Sequence, residues 1–218
     1  HDANDAFNAA ERAAPQNLQI LLWRAELFLE KHDPGHAEEV LSEALARAPS
    51  HPRALVWMAH VKLEQALDFD AAKTLCERAL AINPRLTHAH FVLAGLALRD
   101  LEFQSALDQV ARGLAVDPAN LELLAMRAAV AFLSEDRALF RDTRARVFGK
   151  NPTFSRFYSI VGEFAEWEHR YDRIVEMMRE AVVLDDQDAE AHAALGLNLI
   201  RAGQELAGVQ SLRRAAAK

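Results

Sequence analysis

Residues 18–51 read LQILLWRAELFLEKHDPGHAEEVLSEALARAPSH, and the way this stretch breaks decides the fold. Leu21, Leu22, Ala25, Phe28 and Leu29 recur at helical spacing and predict an amphipathic helix over 18–31. His32-Asp33-Pro34-Gly35 interrupts it. A second helix follows with Ala37, Val40, Leu41, Ala44 and Leu45 on its inward side. Pro49 then ends that helix, because proline has no amide hydrogen and drives the residue before it out of the helical region.

The same pattern is repeated along the chain. Pro15, Pro49, Pro84, Pro118, Pro152 and Asp186 follow one another at intervals of 34, 35, 34, 34 and 34 residues. A near-constant period of this length is one two-helix unit stacked along an axis, each unit borrowing its neighbours to bury its apolar side. Residues 1–17 read as the second helix of a preceding unit, followed by units 18–51, 52–86, 87–120, 121–154, 155–188 and 189–218 in one continuous array. Asn17, Thr87, Asn120, Ser155 and Asp188 stand where a side-chain oxygen could cap each restarting helix.

Composition agrees with this reading. Hydrophobic residues make up 51% of the 218, with only 8 Gly and 7 Pro, and the longest apolar runs fall short of a bilayer span. Formal charge is −7, which gives no basic footprint for nucleic acid. Cys76, the single cysteine, falls in an apolar helical stripe and reads as a small core residue. The chain opens His1-Asp2-Ala3 and stops inside a helical pattern at Ala215–Lys218, which we read as cuts in a longer protein; the sequence leaves its compartment unknown.

Small residues recur at fixed places in the units. In the leading helices they are Ala25, Ala59, Ala94, Ala128, Gly162 and Gly196. In the second helices they are Ala37, Ala72, Ala106 and Gly208 early, then Ala10, Ala44, Ala79, Gly113, Ala181 and Ala215 late. On these positions and the period, the chain resembles the tetratricopeptide-repeat (TPR) family over nearly its whole length. The resemblance implies an all-α, right-handed superhelical solenoid of antiparallel helix pairs, about 13 helices in all, whose leading helices line a concave groove. Departures are expected in three places: at Asp186, which stands in for proline and should weaken the helix stop without removing it, and in two of the units. An extra residue near Ala66 and Leu67 should lengthen that turn, and the fourth unit fits worst, with Phe140, Arg144 and Val147 at places where the family has small, bulky apolar and small residues.

The resemblance also implies a ligand wall on the open face of the leading helices. By register this wall is Leu22, Glu26 and Leu29, then Val56, His60, Leu63 and Glu64, then Phe91, Gly95, Leu98 and Arg99. Ala125, Ala129 and Phe132 continue it, followed by Ser159, Glu163, Glu166 and Trp167. The wall is mostly apolar with scattered acids and lacks the lysine and asparagine set that family members use to grip a terminal carboxylate. It suits an apolar or amphipathic protein segment anchored on Phe91, Phe132 and Trp167. Two other clusters stand out. Phe154, Phe157, Tyr158, Phe164, Trp167 and Tyr171 crowd one unit, as core or as partner contacts. Arg137, Arg141, Arg144, Arg146 and Lys150 outnumber Asp136 and Asp142 by three charges, suiting an acidic partner or simply a solvated helix face.

Motifs for chemistry are missing from the sequence. His88 and His90 are two apart and splay around a helix, His32 and His36 flank a turn, and Glu168-His169 has no second histidine four residues on. Isolated glycines build no phosphate loop. The expectation is therefore a non-enzymatic protein-interaction scaffold, with no metal, cofactor, nucleic acid or membrane insertion. Two further expectations stand beside it. The tail with Leu195, Gly196, Ile200, Arg201, Ala202 and Gly203 resembles repeats attached to gluzincin-type metallopeptidases, which would make the chain the accessory arm of a larger bacterial enzyme. Leu206, Val209 and Leu212 on an uncapped last helix would allow self-association.

Overall fold

In the computed structural model, which describes residues 2–165 and 171–217, thirteen helices and no strand are found among the described residues. The helices are α1 (Asp2–Ala13), α2 (Leu18–Glu30), α3 (Pro34–Arg47), α4 (Pro52–Ala66), α5 (Phe69–Ile82), α6 (Thr87–Arg99), α7 (Phe103–Val116), α8 (Leu121–Leu133), α9 (Arg137–Lys150), α10 (Arg156–Ala165), α11 (Tyr171–Leu184), α12 (Ala189–Arg201) and α13 (Glu205–Ala216). The chain divides into two compact units, one up to Leu93 and one from Ala94 onward. In unit 1, α2 packs on α3 and α4 on α5, while α2 and α4 touch each other. In unit 2 the pairs are α8 with α9, α10 with α11 and α12 with α13, and α10 also meets α8 and α12. This is the all-α pairing that the period predicts.

Each period boundary forms the same turn. Pro15, Pro49, Pro84, Pro118, Pro152 and Asp186 all sit two residues past the end of a second helix, and every one occupies the first place of a two-residue turn. The residue before four of the prolines lies outside the helical region, at φ/ψ −140/81° for Ala48, −136/96° for Asn83, −134/93° for Asp117 and −137/99° for Asn151. That is the conformation a following proline ring enforces. Where Asp186 replaces proline the turn survives, and its carbonyl takes a hydrogen bond from buried His192 Nε2 at 3.1 Å. His90 Nε2 lies 3.3 Å from the Pro84 carbonyl in the same way, so these two core histidines pin the turn that precedes their own helix.

Among the described residues, turns inside the pairs use left-handed backbone. His32, Leu67, Leu101, Glu135 and Gly203 all have φ between 49° and 78°, and only the last is the residue type that adopts it without cost. The extra residue of the second unit does not lengthen its turn. It is absorbed by α4, which has 15 residues where α2, α6, α8 and α12 have 13, and Leu67 and Asp68 alone separate α4 from α5. A residue added to a helix gains a backbone hydrogen bond, whereas one added to a loop only costs entropy.

Helix starts follow the capping expectation in part. Asn17, Asn120 and Asp188 accept from Gln19, Leu123 and Ala191 amides. Thr87 is instead the first residue of α6, and Ser155 turns away to donate its hydroxyl to Asp188 at 2.8 Å. His51 caps α4 through Nδ1, which lies 3.4 Å from the Ala54 amide.

The small residues lie where the paired helices cross. Ala25, Ala59, Ala94, Ala128, Ala37, Ala72 and Ala106 are all fully buried. At the α12–α13 crossing the approach is between backbones: a Cβ added at Gly196 would stand 2.9 Å from the Gly208 carbonyl oxygen, and one at Gly208 would stand 2.7 Å from the Gly196 oxygen. In the α8–α9 pair, Phe140 is only half-buried and Val147 fully so. The Phe140 ring leans between Phe132 at 6.1 Å and Phe157 at 6.0 Å, so the bulk expected to disturb this unit is used to reach the next one.

Candidate functional site

The leading helices present different faces in the two units. In unit 1, Glu26 of α2 and His60 of α4 occupy equivalent places, as do Arg53 of α4 and His88 of α6. The structure pairs them across neighbouring helices in the same register. Glu26 Oε2 lies 3.5 Å from Arg53 Nη2, and His60 Nε2 lies 2.5 Å from His88 Nε2. One imidazole must present N–H and the other a lone pair for that contact, since two protonated rings would repel.

Around the imidazoles the rings form a ladder. His60 and His88 stack at 4.5 Å, Trp57 lies 5.8 Å from His60 and 4.8 Å from His88, and Phe91 continues on the far side of His88 at 6.1 Å. All four are half-buried, each offering part of a ring to solvent. Glu64, one turn after His60 on α4, is an exposed residue, yet partial desolvation of its carboxyl group pushes its pKa above the usual range.

Unit 2 closes the corresponding surface. Leu123, Leu124, Ala125, Met126 and every residue from Ala128 to Leu133 are buried, so α8 is covered on all sides. Phe164 of α10 supplies part of that cover: its Cζ would lie 3.2 Å from a Cβ at Gly95, with Met126 Cε at 3.6 Å. Arg173 adds a guanidinium 4.5 Å from the Phe132 ring centroid.

The predicted wall is therefore redrawn. Leu22 is 0% exposed, Val56 3% and Phe132 7%, and their side chains are core. Leu98, Ala125 and Ala129 are likewise at 0%. Arg99 binds the carboxylate of adjacent Asp100 through Nε at 2.7 Å and Nη2 at 3.0 Å, and Glu163 is exposed in unit 2. Trp167 and Glu166 lie outside the described residues. Glu26, His60 and Phe91 are half-buried in unit 1, Glu26 beside Arg53 and both His60 and Phe91 against the His88 ring.

Sequence reading missed Trp57, Arg53 and His88 as members of this face. The signal existed in the repeat register, since His88 is 35 residues after Arg53 and falls at the place facing His60. Comparing His88 only with His90, its neighbour in sequence, hid this. Half of the aromatic cluster is core, with Phe157, Tyr158 and Phe164 at most 6% exposed, while Phe154 and Tyr171 are half-buried and Trp167 lies outside the described residues.

Cys76 is completely buried and its thiol is pushed up to about 12, first by burial and then by Glu77. Among the described residues, no group of three or more His, Cys, Asp or Glu side chains is placed to hold a metal ion. No helix there is long and apolar enough to cross a membrane.

No protein-family model and no curated protein matches this sequence. Solved structures do. A thermophilic TPR protein from Thermus thermophilus superposes with a TM-score of 0.67 at 20% identity, over 84% of this chain and 99% of that one. The Cut9–Hcn1 hetero-tetramer of the APC/C gives 0.67 at 16% identity over the whole of this chain, which spans 43% of the matched chain. YrrB, a TPR protein with an unusual peptide-binding site, gives 0.51 at 16% identity over 85% of this chain and 95% of that one. Likeness at this level of identity concerns architecture, and together with the 34-residue period it shows that the chain has the tetratricopeptide-repeat fold.

Proposed function

We propose that this chain is a protein-interaction scaffold that holds a peptide or extended segment of another protein on the open face of α2, α4 and the start of α6. The observation that carries this reading is the half-exposed ladder of Trp57, His60, His88 and Phe91. Rigid rings that are partly buried have already lost most of their side-chain freedom, so a guest that covers them gains contact area at little ordering cost. The Glu26–Arg53 pair at one end of the strip and exposed Glu64 on α4 give the surface charges of both signs beside apolar rings. That favours an amphipathic guest over a purely apolar one.

The fold neighbours give this reading a precedent in kind: YrrB has a peptide-binding site, and Cut9 is found in a complex with Hcn1. Selection from a displayed peptide library, followed by affinity measurement on the double variant His60→Ala, Phe91→Ala, tests it. Selected peptides should bind the variant at least about tenfold more weakly, which corresponds to about 1.4 kcal/mol. Peptides that bind both proteins equally, with the variant's helicity unchanged, would place the interaction elsewhere.

A further inference from the structure

The second-helix side of unit 2 carries a cavity of about 420 Å³ lined by Arg144, Phe148, Pro152, Tyr158, Arg179, Glu180 and Val183. Its polar side is built rather than incidental. Arg144 donates to the Tyr158 hydroxyl from Nε at 2.9 Å and Nη2 at 2.7 Å, and to Glu180 Oε2 at 2.6 Å. Tyr158, only 2% exposed, donates in turn to that same carboxylate. The Arg144 guanidinium also lies over the Phe148 ring at 5.4 Å. Three helices, α9, α10 and α11, are thus tied around one cavity.

The apolar side is open. Val183 is 85% exposed and Phe148 half-buried, with Pro152 beside them. Along α9, Arg137, Arg141, Arg144 and Phe148 fall at i, i+4, i+7 and i+11, which is one face of the helix, and the three arginines are exposed. The face runs about 16 Å at 1.5 Å per residue, the reach of about five residues of extended chain. In a chain of net charge −7 this is a local cationic track ending in an apolar cavity.

We propose that this surface is a second binding site, taking an extended acidic segment of a partner protein whose single bulky apolar side chain enters the cavity between Phe148 and Val183 while its carboxylates lie along Arg141 and Arg137, beside the Arg144–Glu180 pair. Charge complementarity selects this occupant. A nucleic acid would supply anions but no aliphatic or aromatic side chain for the cavity. The site is independent of the leading-helix face of unit 1.

Fluorescence anisotropy with a labelled short peptide, one phenylalanine followed by a run of glutamates, tests the proposal on the whole chain. Lysines in place of the glutamates, or alanine in place of the phenylalanine, should weaken binding at least about tenfold. Val183→Glu and Arg141→Glu, both at exposed positions, should each do the same with helicity unchanged by circular dichroism. His60→Ala with Phe91→Ala should leave it unaltered. Equal binding of the acidic and basic peptides, insensitivity to Val183→Glu, displacement by a single-stranded oligonucleotide at matching concentration, or loss in the His60→Ala, Phe91→Ala variant would each overturn it.

Discussion

Helices α4 and α8 hold the same place in their repeats, yet one offers a face to solvent and the other is walled in. Along α4, Arg53, Trp57, His60, Lys62 and Leu63 are half-buried and Glu64 is exposed. Along α8, ten of the 13 residues are buried, and the place equivalent to His60 is Ala129 at 0% exposure. The difference comes from side-chain size. Gly95 and the alanines of α8 leave room beside them, and Phe164 occupies part of that room against Gly95 and Met126. In α4 the equivalent place carries an imidazole, which meets another imidazole and keeps the surface open. A shared scaffold thus leaves a half-exposed face in one unit and makes additional core in the other.

The largest expected effect attacks this contrast directly. Phe164→Ala removes a ring that is 6% exposed and should destabilise unit 2 by about 3–5 kcal/mol, the usual range for a buried phenylalanine. His60→Ala removes a half-buried ring from the open face and should change stability by less than about 1 kcal/mol, within the range of surface substitutions once one hydrogen bond is included. Urea unfolding monitored by circular dichroism measures both. Comparable losses for the two would mean that the histidine ladder is core, and the contrast between the units would dissolve.

A smaller effect sharpens what small residues do within unit 2. A Cβ at Gly208 meets the Gly196 carbonyl oxygen at 2.7 Å, and backbone cannot move aside without separating α12 from α13. A Cβ at Gly162 meets Met178 Cε at 2.4 Å, the far end of a flexible side chain. Gly208→Ala should therefore cost about 1–3 kcal/mol, and Gly162→Ala clearly less, although its contact is the shorter of the two. Denaturation midpoints of the two variants in parallel decide it, and a larger loss at Gly162 would show that the core around Met178 cannot adjust.

The period, the proline turns and the small crossing positions were legible because each rests on one backbone rule: a missing amide, a restrained neighbour, or a Cβ that must be absent. The open face was legible only in part. Leu22, Val56 and Phe132 satisfy the register of groove residues, but burial depends on which neighbour reaches across, and Phe164 lies 69 residues from Gly95 in sequence. The Arg144–Tyr158–Glu180 junction was hidden for the same reason. Arg144 looked like a misfit in its own repeat, and its partners belong to the next one.

The smallest effect concerns where the open face begins. His51 caps α4 with Nδ1 as acceptor, which requires a neutral ring with its proton on Nε2. Burial, and then the charge of Arg53, hold the His51 pKa below its ordinary 6.5. A histidine depressed in the folded state contributes stability that is complete above the unfolded value and is lost as pH falls through the folded one, because the unfolded chain takes up the proton first. His51→Ser keeps an acceptor at every pH. The variant should lie within about 1 kcal/mol of the parent at pH 7.5 and gain on it as pH falls from 6.5 toward 5, so urea midpoints of the two proteins should diverge in that window. Parallel pH profiles would mean that the ring gives α4 no cap, and that its entry is set by Pro52 at the first helical position alone.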